Sequence, residues 1–156
     1  MTYEGLQQEC LNNGIYVIDK IFISNVKGLI KGNRIGISKK IPTIKEKKCI
    51  LLEEIGHYKL TVGNIIDQSI VENRKQERKA RIYAYNKLIG LSGLIDAFEA
   101  HCTSKYEVAD YLDVTEAFLN DALQYYEEKY APYIKKDNYI ISFENGINIL
   151  KLFENF

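Results

Sequence analysis

The chain has 156 residues, with 46% hydrophobic and 27% charged side chains and equal numbers of acidic and basic residues. That composition suits one well-cored domain, or a domain with a small appendage, and argues against disorder. No apolar run nears the roughly 18 residues a membrane span requires, and Met-Thr-Tyr-Glu-Gly lacks the basic and apolar regions of a signal peptide. The expectation is a cytoplasmic protein with no membrane partner. Cys10, Cys49 and Cys102 are odd in number and widely spaced, as in a reducing compartment.

Charge is uneven along the chain. Residues 27–48 hold eight basic side chains against Glu46 alone, and residues 104–130 hold two lysines against seven acids. Either surface can steer a partner of opposite sign.

In chain order, Tyr3, Leu6, Cys10 and Leu11 recur at helical spacing, and Asn12-Asn13-Gly14 ends that helix. Ile15–Ile18 and Ile21–Ile23 are β-branched and aromatic, so both read as strands. Lys31-Gly32-Asn33 reads as a hairpin tip between Gly28–Ile30 and Arg34–Ser38. Thr43, with Glu46 three residues on, caps the next helix.

That helix, through Lys48-Cys-Ile-Leu-Leu-Glu-Glu-Ile-Gly-His-Tyr-Lys-Leu60, is the centre of the chain. Ile50, Leu51, Leu52, Ile55 and Leu60 make it apolar on several sides, as a buried helix is. Glu53 and His57, four apart, share a face, with Glu54 offset toward its edge. The layout is that of the H-E-x-x-H helix, whose first and last members hold zinc while the glutamate between is the general base. Glu53 stands in place of the first histidine, and carboxylate oxygen binds zinc at about the same distance as imidazole nitrogen. Burying two carboxylates and an imidazole is costly unless something pairs with them, and a cation is such a partner. Cys49 reads as packing.

A turn-rich loop over 61–69 leads to a long helix at 71–90, packed through Ala80, Tyr83, Ala84 and Leu88. Glu77 lies near the start of that stripe. Zinc peptidases with two ligands on one helix commonly take a carboxylate from the next helix as the third ligand, which makes Glu77 the candidate and Asp67 in the loop its weaker competitor.

The segments Cys49–Tyr58, Asn73-Arg-Lys-Gln-Glu-Arg-Lys-Ala-Arg81 and Ala84-Tyr-Asn-Lys-Leu-Ile89 together resemble the ImmA/IrrE family of metallo-endopeptidases. The likeness is closest to the form on phages and mobile elements of Gram-positive bacteria, where the motif is often E-E-x-G-H. It covers most of the chain and is strongest over 45–92. The resemblance implies Glu53, His57 and Glu77 as metal ligands and Glu54 as catalytic base. It implies zinc as the metal, with manganese the alternative because two carboxylates and one imidazole make a harder site. It implies a narrow protein substrate, a helix-turn-helix transcriptional repressor. The alternative is an inactive zincin-fold module that binds a repressor or other regulator without cutting it.

Beyond Gly90 the chain reads as helical. Leu91–Ala100 is a short amphipathic helix, with His101 at the surface or in a cap. Residues 104–124 have the cadence of a helix-turn-helix, with Asp113 where glycine is usual. Its second helix carries Glu116, Asp121, Glu127 and Glu128 and no arginine, so it repels phosphate and reads as a structural or protein-binding pair. Tyr133–Phe143 reads as a turn into a strand, and Ile147–Phe153 as a docked tail. The expected architecture is α+β, with a small three-stranded sheet on a zincin-like helix followed by a helical C-terminal half. The expected domains are 1–92, zincin-like, and 93–156, helical with a docked tail.

Overall fold

The computed structural model describes residues 1–61 and 70–153. Among these the fold is mixed α+β, with six helices and two three-stranded sheets. The chain divides into two compact units, Met1–Lys87 and Leu88–Phe156. The expected loop over 61–69 lies almost entirely outside the described residues. No helix among the described residues is long and apolar enough to cross a membrane.

The first unit opens on α1 (Tyr3–Asn12). Thr2 caps it, accepting from the Gly5 N–H at 3.0 Å. Gly14, at φ 73°, ends it. There Gly14 N–H donates to Leu11 O and Ile15 N–H to Cys10 O, the paired bonds of a Schellman cap that glycine adopts without strain. Tyr3 is 5% exposed, and its hydroxyl has no hydrogen-bond partner among the described residues. Burial pushes its pKa up to about 12. Because an unpaired buried hydroxyl is a cost, Tyr3→Phe is expected to stabilise the protein by about 1 kcal/mol, measurable by urea denaturation.

Strands β1 (Tyr16–Lys20), β2 (Gly28–Lys31) and β3 (Arg34–Ser38) form one sheet in the order β1-β3-β2. β1 is parallel to β3, and β2 is antiparallel to it with Lys31 opposite Arg34. The hairpin tip is thus Gly32-Asn33, with Gly32 at φ 61°, as a two-residue hairpin turn requires. The expected strand at Ile21–Ile23 does not form. Since β1 and β2 flank β3, residues 21–27 must cross from one side of β3 to the other. They do so with Ile23 fully exposed and Phe22 against Gly36, where a Cβ would come within 3.0 Å of the ring. Apolar content alone imitated a strand.

Ile35 and Ile37, both fully buried, face inward from β3. Against this sheet packs α2 (Ile44–Thr61), which touches α1, β2 and β3. Thr43 caps it, accepting from the Glu46 N–H at 3.1 Å, and the Glu46 carboxylate takes Lys27 at 2.7 Å. From Lys45 to Tyr58 no residue of α2 is exposed. Leu51, Leu52, Ile55 and Cys49 are core, each large aliphatic stabilising by about 1.5–3 kcal/mol through burial. Lys48 is also buried, at 1% exposure, so the basic surface is smaller than the charge count of 27–48. α3 (Ile70–Leu88) follows, with Ala80 and Ala84 fully buried.

The second unit holds α4 (Gly90–Glu99), α5 (Lys105–Leu112) and α6 (Glu116–Tyr130). α4 ends in a Schellman cap, with Cys102 N–H on Ala97 O and His101 N–H on Phe98 O. His101 occupies the left-handed position at φ 64° and is exposed. His101→Gly is therefore expected to gain about 1 kcal/mol by relieving that conformation, seen as a raised urea midpoint. Ser104 and Thr115 cap α5 and α6, and Asp113, at φ 54°, closes α5 in the same left-handed conformation. Val114, Leu119 and Leu123 are buried.

The C-terminal half is not only helical. β4 (Ile134–Lys136), β5 (Tyr139–Ser142) and β6 (Asn148–Lys151) make an antiparallel meander. The expected docked tail is its third strand, Ile149 lying opposite Ile141. Glu99 on α4 ties the sheet down, accepting from Lys151 Nζ at 2.9 Å and from the Tyr139 hydroxyl. Phe143 stacks with Tyr130 and contacts Tyr126, whose hydroxyl oxygen accepts from Gly90 N–H.

Candidate active site

The site candidates of the first unit lie on α2 and α3. Two small residues govern how closely those helices approach. A Cβ on Gly56 would lie 2.9 Å from the carbonyl oxygen of Ala80 and 3.0 Å from its Cα, so the backbones themselves meet at this crossing. One residue beyond Gly56 stands His57, and three before Ala80 stands Glu77. The crossing brings His57 Nε2 to 3.3 Å from Glu77 Oε2, with side chains 16% and 56% exposed.

Glu54 is set deeper. A Cβ on Gly28 would lie 2.8 Å from Glu54 Oε1, so this carboxylate rests against the backbone of β2 where any side chain would displace it. Burial pushes its pKa up to about 7, and the negative charges of Glu77 and then Glu53 add to the rise. Desolvation and like charge both disfavour the ionised form. A carboxyl half-ionised near neutral pH can both accept and release a proton there.

Glu53 is half-buried, one turn before His57 on the same helix. Among the described residues no group of three or more His, Cys, Asp and Glu side chains is gathered as a metal ion would need. His57 and Glu77 do meet. Asp67 lies outside the described residues. Cys49 is buried in the core and Cys102 belongs to the second unit, neither in a disulfide. In chemistry, His57, Glu77 and Glu53 are donors of the kind zinc and manganese accept.

Gly28 and Gly56 were not among the residues the sequence singles out, though both shape the site. Gly56 lies inside the E-E-x-G-H run, and that is its only sequence signal. Gly28 carries none. No protein-family model matches the chain, and neither a curated protein nor a solved structure gives a significant match.

Proposed function

We propose that this chain is a metal-dependent endopeptidase of zincin type acting on a specific protein, a helix-turn-helix repressor being the substrate the motif resemblance implies. The observation that carries the reading is the convergence of His57 and Glu77 from separate helices beside a half-buried Glu54 with a raised pKa. His57, Glu77 and Glu53 would hold the metal, zinc or in its place manganese. When bound, such an ion polarises a water and lowers its pKa.

With such an ion bound, Glu54 would accept a proton from the attacking water and pass it to the leaving amine. The β2 backbone against which Glu54 rests belongs to an edge strand, since β2 pairs with β3 alone among the described residues. An extended peptide added to that edge would lie alongside Glu54.

One observation favours a second reading, a zincin-fold module that binds a regulator without cutting it. Among the described residues no group of three or more metal-donor side chains is gathered. Direct DNA binding is disfavoured, because α6 exposes Glu116, Asp121, Glu127 and Glu128, which repel phosphate.

Incubation with a candidate helix-turn-helix repressor separates the readings. The enzyme is expected to cut it, with Glu54→Gln abolishing cleavage while binding persists. Binding without cleavage by the metal-loaded wild type would leave the module.

A further inference from the structure

We propose that the free edge of β1 pairs with the same edge of a second copy, joining two three-stranded sheets into one. Among the described residues β1 bonds only to β3. In that ladder Tyr16 N–H donates to Asn33 O, and Lys20 O accepts from Lys39 N–H. The alternate residues Val17 and Asp19 therefore turn their N–H and C=O groups to the open side. Beside them runs an open groove between α1 and β1, lined by Gln7, Gln8 and Leu11 across from Tyr16, Val17 and Ile18. Tyr16 is 51% exposed and Ile18 40%. An unpaired edge with apolar side chains is a template for another strand.

Register identifies the occupant. When Tyr16-Val-Ile-Asp-Lys20 is laid antiparallel to itself about Ile18, Val17 stands opposite Asp19 of the second copy. These are the residues whose backbone groups point outward, so both such pairs are hydrogen-bonded. Ile18 then meets Ile18 in the non-hydrogen-bonded position between them, where side chains approach most closely. At each end Tyr16 stands opposite Lys20, an aromatic face beside a cation. No like charges face one another, and Asp19 keeps Lys47 at 3.3 Å.

Other centres do worse. A two-fold at Asp19 sets two carboxylates opposite each other, which is destabilising. A two-fold at Val17 pairs only Tyr16 to Ile18, because the strand begins at Tyr16. The register about Ile18 uses the whole strand. It lies across the sheet from β2, so it leaves the edge beside Glu54 open.

Analytical ultracentrifugation of the full chain across micromolar concentrations tests the pairing, with twice the 18.0 kDa chain mass expected at the upper end. Ile18→Lys places two ammonium groups opposite each other on a half-exposed position that the monomer tolerates. It is expected to raise the dimer dissociation constant by about tenfold or more. The non-hydrogen-bonded pair separates Cα atoms by about 4.5 Å, within the span of a disulfide. Ile18→Cys is therefore expected to form a covalent dimer under mild oxidation, well ahead of Leu29→Cys on β2, a residue 53% exposed. A wild-type chain that stays monomeric throughout overturns the proposal. So does a dimer indifferent to Ile18→Lys, or one that cross-links equally well through Leu29→Cys.

Discussion

Gly56→Ala is expected to destabilise the protein by about 2–3 kcal/mol, opposite in sign to the usual exchange. In an ordinary helix interior, alanine for glycine gains roughly 0.5–1 kcal/mol. Here the added methyl meets the Ala80 carbonyl oxygen at 2.9 Å and the Ala80 Cα at 3.0 Å. Both are backbone atoms, so no rotamer change relieves the contact, and α2 and α3 must part. Urea denaturation reads the stability loss. Parting the helices also draws Glu77 away from His57, so the zinc dissociation constant is expected to rise about tenfold or more, as when the support of a ligand is removed. A stabilised Gly56→Ala variant would contradict the close crossing.

The second large effect is on the pH dependence of stability and rests on Glu54. Its folded pKa, near 7, lies above the ordinary 4.5. Between those values the folded chain holds a proton that the unfolded chain has released. Stability from this group is therefore complete below about pH 4.5 and is lost as pH rises through 7. By pH 8, in chelator-treated protein, the half-buried carboxylate costs about 2 kcal/mol, discounted from the full shift because the group is partly solvated. Glu54→Gln carries no such charge. It is expected to flatten the profile between pH 5 and 8 and to exceed wild type by about that amount at the alkaline end. An unchanged slope in Glu54→Gln would place the titration elsewhere. The same substitution is expected to abolish peptide cleavage, so stability and activity part company at one residue.

The sequence made the elements around the site legible where local signals agreed. Thr43 with Glu46 marked the start of α2, Gly32-Asn33 the hairpin between β2 and β3, and Gly14 the end of α1. The apolar run about Glu53, Glu54 and His57 predicted a buried helix, and Lys45–Tyr58 are shielded throughout. Signals failed where pairing across the chain decides. Ile21–Ile23 has strand composition but sits in a crossover with no strand to join. In the second unit, Asn145-Gly146 is a strong hairpin signal between Ile140–Phe143 and Ile147–Leu150, yet the run after it passed for a docking tail. Its strands are only three and four residues long, too short for alternation to stand out.

The site was legible only in part, for the same reason. Spacing along α2 sets Glu53, Glu54 and His57 in relation to one another. Nothing in the charged segment around Glu77 distinguishes it from its solvated neighbours, and it remains 56% exposed. Its place beside His57 depends on Gly56 meeting Ala80, a contact between helices that no local pattern encodes. The rise in the Glu54 pKa likewise needs β2, whose Gly28 approaches the carboxylate from a distant part of the chain.

The most direct test of the central claim is metal content by mass spectrometry on protein purified without chelators, beside His57→Ala and Glu77→Ala. Close to one zinc or manganese ion per chain is expected, lost in both variants while far-ultraviolet circular dichroism stays unchanged. A wild-type chain that holds no metal after zinc is added back and the excess removed would contradict it.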